Sequence, residues 1–134
     1  MSGNNYVAVT EVMEEECLVV DGLSTVAEVL AKMVEKDVAF AFVEKRDEHD
    51  EYGIVLVSDI AKQVLAPHKS PDRINAYEVM TKPVLPVQPD MDIRYCARLF
   101  DQFGISTAPV IKAGEILGAV TYDHLVLKGL AQQK

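Results

Sequence analysis

The chain has 134 residues, of which 49% are hydrophobic and 25% charged, and its formal net charge at pH 7 is −8. These values are ordinary for a globular domain and exclude a disordered or collagen-like chain. The acidic balance argues against partners that require a basic face, namely nucleic acids and anionic membrane surfaces.

The opening residues, MSGNNYVAV, lack the charged and apolar regions of a secretory signal, and no run approaches the roughly 20 apolar residues of a membrane-spanning helix. We therefore expect a cytoplasmic protein with no membrane association. Cys17 and Cys96 lie in apolar segments. In such a protein, two thiols of this kind are expected to be small buried hydrophobes rather than a disulfide.

The first half of the chain predicts a strand, a helix, two strands and a second helix. Residues 17–20 form an apolar run typical of a short buried strand. In the helix that follows, Ser24 or Thr25 is a candidate N-cap, with Glu28 as its capping-box partner. Residues at helical spacing form its apolar stripe: Val26, Val29, Leu30, Met33 and Val34. The remaining elements are strands over residues 38–43 and 54–57 and a helix over residues 58–65.

The second half predicts the same order of elements. An apolar run over residues 84–87 precedes a helix that Asp90 or Asp92 caps and that Gly104 ends. The buried side of this helix is expected to consist of Ile93, Cys96, Ala97, Leu99, Phe100 and Phe103. Strands over residues 107–111 and 117–120 and a last helix over residues 123–130 complete it.

The two halves are copies of one unit. Residues 11–13 (EVM) recur as residues 78–80 (EVM), and residues 53–55 (GIV) match residues 118–120 (GAV). We therefore predict an α+β fold of two β-α-β-β-α repeats, residues 7–66 and 76–131, joined by a turn-rich linker over residues 67–75. Each repeat is small for independent folding. We expect the two to pack in pseudo-twofold fashion and to leave clefts, where ligands prefer to bind.

The sequence contains no recognisable catalytic pattern. His49, His68 and His124 share no metal-ligand spacing with one another or with the cysteines. It contains neither a P-loop nor a Gly-x-Gly-x-x-Gly stretch, and no nucleophile is paired with a base. We therefore expect that the chain is not an enzyme and requires no cofactor or metal.

The ordered motifs resemble those of the CBS domain, named after cystathionine β-synthase, and two in tandem resemble a Bateman module. DQFGISTAPVIKAGEILGAVTYDHLV, residues 101–126, shows the likeness most clearly, and KDVAFAFVEKRDEHDEYGIVLVSDIAKQVL, residues 36–65, matches it in the first repeat. The resemblance implies an adenosine-containing regulatory ligand, such as AMP, ADP, ATP or S-adenosylmethionine, in clefts between the repeats.

The resemblance also implies the residues that would hold this ligand. In the family segment G-h-h-T/S-x-x-D, the hydroxyl contacts phosphate and the acid holds the ribose hydroxyls. The first repeat keeps the acid as Asp59, beside Ser58, but has Leu56 at the hydroxyl position. A carboxylate suits a vicinal diol because it accepts two hydrogen bonds.

The second repeat departs from the pattern in the opposite way. It keeps the hydroxyl as Thr121 and has His124 at the acid position, with Asp123 one residue earlier. By the same resemblance, the remaining candidate residues line the adenine pocket or its entrance: Cys17, Leu18, Phe40, Lys82, Pro83, Val84, Thr107, Ala108 and Pro109. One working cleft is therefore expected rather than two equal ones.

Structural interpretations stand beside these functional ones. Ser58 and Asp59 are also good helix caps, Thr121 is an ordinary strand residue, and His124 fits the start of a surface helix. Basic residues are absent from the two motifs themselves, and the nearest candidates for a phosphate are His68, Lys69, Arg73 and Lys82. The sequence thus favours AMP or an S-adenosyl compound over ATP.

Two modes of action remain open at this point. In the first, the module binds its ligand, forms a homodimer through its last helices and acts in trans on an effector protein. In the second, the incomplete motifs indicate a degenerate scaffold that dimerises or docks a partner without nucleotide.

Overall fold

The computed structural model describes residues 6–132, which divide into two compact units. The central unit is Cys17–Val84, and the split unit combines the start of the chain, up to Glu16, with the part from Leu85 onward. The units do not coincide with the sequence repeats. The opening residues of each repeat, before its first strand, pack with the other repeat. Among the described residues, no helix combines the length and apolarity required to cross a membrane.

The central unit is built on a three-stranded sheet in the order β1-β2-β3. Strand β1 is Val19–Val20, β2 is Phe40–Val43 and β3 is Gly53–Leu56. The first pair is parallel and the second antiparallel, with Phe42 opposite both Val19 and Ile54. The predicted strands therefore exist, although the first two are each two residues shorter than predicted and the third begins and ends one residue earlier.

Helix α1, Val26–Lys36, covers this sheet. The predicted capping box is confirmed at Thr25, whose hydroxyl accepts from the Glu28 backbone N–H at 3.1 Å, while the Glu28 carboxylate accepts from the Thr25 N–H at 2.8 Å. Of the predicted stripe, Val26, Val29 and Met33 are buried and Leu30 is half-buried. Val34 is 81% exposed. At 3.6 residues per turn, Val34 lies about 80° away from Val26, close to the end of the helix.

The rest of the central unit closes around α1 and β3. Helix α2, Val57–Ile60, continues as the π-helical segment Ala61–Leu65 where one closing α-helix was predicted. After the 3-10 turn Pro71–Arg73, the Ile74 carbonyl accepts from the Val26 N–H at 2.8 Å. The end of the predicted linker is therefore joined to the start of α1. Helix α3, Ala76–Val79, follows.

The split unit is built on the antiparallel strands β4, Thr107–Lys112, and β5, Glu115–Thr121. Single bridges extend the pair on both sides, from Glu14 to Ala119 and from Val87 to Val110. The strand predicted over residues 84–87 is thus reduced to one bridge. The 3-10 turn Val9–Glu11 adds the buried Val9 to the core of this unit.

Helix α4, Ile93–Phe103, begins at Asp92, whose carboxylate accepts from the Arg94 N–H at 3.1 Å, and ends at Gly104 with φ of 65°. Both predicted ends are confirmed. Phe103 is 56% exposed although the sequence predicts it buried, because it is the last helical residue and lies about 80° from Ile93 around the axis. The described part of the chain ends in a π-helical segment, His124–Gly129, and a 3-10 turn, Leu130–Gln132.

The matched glycines of the two repeats occupy equivalent close approaches. A Cβ atom on Gly118 would lie 2.4 Å from the Glu14 carbonyl oxygen, and one on Gly53 would lie 2.7 Å from the Met80 sulfur. In both units, the opening segment of one repeat crosses over the third strand of the other repeat. Glycine is therefore required by contact with a neighbouring chain segment rather than by the backbone conformation.

Candidate functional site

Five predicted ligand residues meet at one end of the central sheet. Phe40 lies opposite Leu56, and the parallel pairing of Val19 with Phe42 brings the two residues before β1 to the same end. Two more follow directly after β3, at the start of α2. The five are Cys17, Leu18, Phe40, Ser58 and Asp59. We call this group the Asp59 end of the central unit.

Asp59 has a defined structural role at this end. It is the third residue of α2, and its carboxylate accepts from the Leu56 backbone N–H at 3.2 Å. Capping is therefore part of its role, although from this third helical position rather than as the N-cap itself. A carboxylate has about four acceptor sites, so one backbone bond leaves capacity for a ligand, and the half-buried Asp59 remains within reach of solvent.

Six predicted residues converge in the same way in the split unit. Thr107 lies opposite Thr121, with Ala108 and Pro109 next along β4. Asp123 and His124 follow β5 directly. The pairing of Thr107 with Thr121 matches that of Phe40 with Leu56, so the two units present equivalent ends.

His124 performs in the split unit the task that Asp59 performs in the central unit. The His124 Nδ1 accepts from the Thr121 backbone N–H at 3.1 Å, and the His124 backbone N–H donates to the Thr121 hydroxyl at 3.4 Å. The first bond requires Nδ1 to be unprotonated, which assigns the ring proton of the neutral imidazole to Nε2. Burial, aided by Lys128, holds the pKa of His124 below its usual value against the opposing charges of Glu14 and Asp123.

The equivalent ends therefore differ in chemistry although they agree in backbone structure. Asp59 presents spare acceptor capacity, whereas His124, with Nδ1 occupied, presents the Nε2–H donor. An acceptor suits the two hydroxyls of a ribose, and a donor suits a phosphate or carboxylate oxygen. Asp123 does not replace His124 as the capping partner of Thr121, since the recorded bond is to the imidazole.

Lys82, Pro83 and Val84 lie away from the Asp59 end. Thr81 bridges to Ile54, and the Val84 N–H donates to the Tyr52 carbonyl at 3.3 Å. This places the segment beside the beginning of β3, whereas Asp59 follows its end, about 10 Å further along the strand. The Lys82 ammonium forms an ion pair with Asp50. Lys82 therefore lies in a different part of the unit from the Asp59 end.

A cavity that the sequence did not predict lies at that opposite end. Its volume is about 590 Å³, and it is bounded by the turn after β1, the end of β2, Tyr77, Met80 and Lys82. Two features of this cavity are visible in the sequence, namely the Asp21-Gly22 turn and the basic pair Lys45-Arg46 just after β2. Their convergence depends on the sheet register and could not be read from spacing along the chain.

The two cysteines do not form a disulfide. Burial raises the pKa of Cys96 to about 11, so this thiol stays protonated. Cys17 is half-buried at the Asp59 end. Over residues 6–132, no cluster of three His, Cys, Asp or Glu side chains is arranged to hold a metal ion.

Comparison with known proteins agrees with this architecture. The sequence matches the CBS domain family over residues 9–66 and again over residues 76–129. An uncharacterized protein of Methanopyrus kandleri is 28% identical over 122 residues, which are 90% of this chain and 61% of that protein. The chain thus spans about three fifths of the length of the curated relatives that it matches.

Solved structures show the same fold. A hexameric CBS-CP12 protein from bloom-forming cyanobacteria is 34% identical, with a TM-score of 0.90 over 96% of this chain and 77% of that one. The CBS domain pair of protein MJ0100, solved with 5′-methylthioadenosine and S-adenosyl-L-methionine, is 21% identical, with a TM-score of 0.80 over 96% of this chain and 99% of that one. At that identity, the second likeness concerns the fold alone.

The predicted α+β architecture is confirmed by these structures, and the two family matches follow the two repeats in order and together cover most of the sequence. The chain belongs to the CBS-domain family, as a CBS-domain pair.

Proposed function

We propose that this CBS-domain pair is a regulatory module that binds an adenosine-containing ligand and has no catalytic activity of its own. The observation that carries the proposal is the Asp59 carboxylate, which follows β3 at the end where the half-buried Phe40 supplies apolar surface. Such a site can hold a ribose by hydrogen bonds and a base by apolar contact. A neighbour of the same fold was solved with two adenosyl compounds, which agrees with this ligand class.

We expect AMP or an S-adenosyl compound to bind more tightly than ATP. The residues between Leu56 and Asp59 are uncharged, and Lys82, a predicted phosphate partner, is paired with Asp50 elsewhere in the unit. A triphosphate would bring several negative charges to a chain of net charge −8 with few cations close to the site.

Signalling then requires a ligand that binds one arrangement of the protein more tightly than another. The ligand can shift the equilibrium between the two arrangements by no more than its difference in affinity for them. The closing helices offer surfaces for this response, because Leu65, Leu127 and Leu130 are more than half exposed. We propose that these surfaces support a homodimer and contact an effector protein in trans. Light scattering with and without ligand measures whether the assembly changes.

Asp59→Asn is the most informative variant for the ligand site. The asparagine amide oxygen can still accept from the Leu56 N–H, so the cap and the melting temperature of the free protein should change little. Affinity for the adenosyl ligand should fall about tenfold or more, since a charged acceptor is lost from the ribose contact. Calorimetric titration with AMP, ATP and S-adenosylmethionine measures both the loss and the order of preference.

Asp101→Asn is the matched control, because it removes an exposed carboxylate of α4 that lies outside both groups of predicted ligand residues. It should leave the titrations unchanged. A ligand present at 100 times its Kd stabilises the folded state by about 2.7 kcal/mol. If none of the three compounds raises the melting temperature, the chain acts instead as a scaffold that only dimerises or docks a partner. If ligand binds equally well to Asp59→Asn, the site lies elsewhere.

A further inference from the structure

The equivalent ends of the two sheets differ in side-chain chemistry at each of three matched positions. In the central unit, Phe40 lies opposite Leu56, and the Asp59 carboxylate accepts from the Leu56 N–H. The matched residues of the split unit are Thr107, Thr121 and His124. We call these three residues the His124 end. Two apolar side chains and an acceptor in one unit are therefore replaced by two hydroxyls and an imidazole in the other.

Three hydrogen-bond donors meet at the His124 end. Thr107 and Thr121 are directly opposite each other in the antiparallel pair, which brings their Cβ atoms to about 5 Å. The Thr121 hydroxyl accepts from the His124 backbone N–H at 3.4 Å, so its own proton can be donated to a ligand. Within residues 6–132, no group accepts from the His124 Nε2–H. All three residues are half-buried and remain within reach of solvent.

The charges that act on His124 come from Lys128, Glu14 and Asp123. All three side chains are exposed, so solvent screens them, and the positive charge of Lys128 offsets one of the two negative charges. Direct hydrogen bonds to a charged acceptor contribute more than exposed charges of this kind. The donors therefore determine which ligand the His124 end prefers, and they favour a group whose oxygen atoms only accept.

The exchange of an acid for a donor reverses what a ribose site can bind. In dinucleotide sites, an acidic side chain holds the free 2′-hydroxyl of the ribose, and an arginine accommodates a 2′-phosphate in its place. The neutral His124 ring has no free acceptor, because Nδ1 is bonded to the Thr121 N–H. It cannot accept from a vicinal diol as Asp59 can, whereas a phosphate oxygen can accept from its Nε2–H.

We propose that the His124 end binds an adenosine ligand whose ribose carries a phosphate at the 2′ or 3′ position. The phosphate accepts from the His124 Nε2–H and from the hydroxyls of Thr107 and Thr121. This inference rests on the proposed function, because it takes the adenosine class from the equivalent Asp59 end. The module then has two inputs that differ in the position of one phosphate.

The experiment uses the full chain labelled with ¹⁵N and titrated with 2′-AMP, 3′-AMP and 5′-AMP. These isomers differ only in the hydroxyl that is esterified, so composition and base are constant. Long-range ¹H–¹⁵N spectra report on the imidazole nitrogens, and His124→Asp assigns the His124 signals. At least one of 2′-AMP and 3′-AMP should shift the Nε2 resonance in a saturable manner, with an affinity at His124 about tenfold higher than that of 5′-AMP. An equal response to 5′-AMP, or no response to either other isomer at roughly 10 mM, would overturn the proposal.

Two variants test the assignment within the His124 end. His124→Asp keeps an acceptor for the Thr121 N–H, as Asp59 does for Leu56, and should reverse the preference in favour of 5′-AMP. Thr121→Val removes only the hydroxyl and should weaken binding of the preferred isomer about fivefold. His49→Asp makes the same exchange at an exposed loop histidine and should change nothing. Calorimetry gives the affinities, and unchanged affinity of the preferred isomer in His124→Asp would show that His124 does not hold the phosphate.

Asp59→Asn separates this inference from the proposed function. It should weaken binding of 5′-AMP and leave the response of His124 to the preferred isomer unchanged. If 5′-AMP binds through Asp59 and neither other isomer reaches His124, the proposed function stands and this inference fails. If none of the three isomers binds, both fail.

Discussion

Replacing Gly118 by alanine should destabilise the split unit strongly, for a reason that is purely local. The new methyl carbon would lie 2.4 Å from the Glu14 carbonyl oxygen and 3.2 Å from the Met13 sulfur. The first contact is with backbone, which cannot rotate away. The Glu14 backbone must therefore move away from Gly118. This movement strains the two backbone hydrogen bonds of 2.9 Å that join Glu14 to Ala119.

The magnitude follows from these contacts. Overpacking typically costs about 1–3 kcal/mol, and each weakened backbone bond adds roughly 0.5–1.5 kcal/mol. Because part of the methyl clash is relieved when those bonds lengthen, we expect a total of about 2–4 kcal/mol. In a chain of this size, that corresponds to a fall of about 10 °C in melting temperature.

Gly53→Ala is the matched comparison, because Gly53 is the equivalent residue of the first repeat. Its nearest obstacle is the Met80 side chain at 2.7 Å, with the Thr81 carbonyl oxygen more distant at 3.3 Å. A thioether side chain can adopt another rotamer, so the cost should be about 1 kcal/mol. Urea unfolding of both variants gives the two free energies, and hydrogen exchange at the Glu14 and Ala119 amides locates the damage. If Gly118→Ala is no less stable than Gly53→Ala, the close approach of residues 13–14 to β5 is wrong.

Three further substitutions or deletions test other parts of the structure. Thr25→Ala should lower the free energy of unfolding in urea by about 1 kcal/mol because α1 loses its capping hydroxyl. Thr25→Ser keeps a hydroxyl and should retain most of this stability, and equal losses in the two variants would contradict the capping role. Deletion of residues 1–16 should remove hydrogen-exchange protection from β4 and β5 while β1–β3 keep theirs, since Glu14 bridges to β5; uniform loss would contradict this division. The pKa of His124 in the folded state lies below its ordinary 6.5, so the unfolded chain binds more protons. The contribution of His124 to the free energy of unfolding is therefore complete above pH 6.5 and is lost as the pH falls through the lowered pKa. That loss should be under about 1 kcal/mol because solvent screens a half-buried ring. Urea unfolding between pH 7 and 5 should show a smaller loss in His124→Asp than in the natural chain. Identical pH profiles for the two proteins would count against this role of His124.

Local features of the fold were predictable because their causes lie within a few residues. The capping box of α1 and the glycine end of α4 depend on side chains no more than one turn from the helix end, and both are present as predicted. The exposed Val34 and Phe103 show where the same reasoning fails. Helical periodicity assigns a face to each residue, but it does not say how far the neighbouring layer extends along the helix.

The candidate sites show the same division. The three-residue spacing of Leu56 and Asp59, and of Thr121 and His124, is local, and it explains why both pairs cap a closing helix in the same way. The sequence predicts Lys82 as a ligand residue, and the position of Lys82 depends on a bridge between Thr81 and Ile54. No short-range pattern indicates such a contact.

By itself, the sequence determined the duplication, the order of elements in each repeat and the loss of one motif residue from each copy. Apolar periodicity, capping residues and glycines act over short distances, so these conclusions needed no coordinates. Only the tertiary structure decided that residues 6–16 complete the second repeat and that a charged cavity forms at one end of the central unit. The physical reason is that both depend on strand register between distant segments, which is set by backbone hydrogen bonds and close glycine contacts rather than by any local preference.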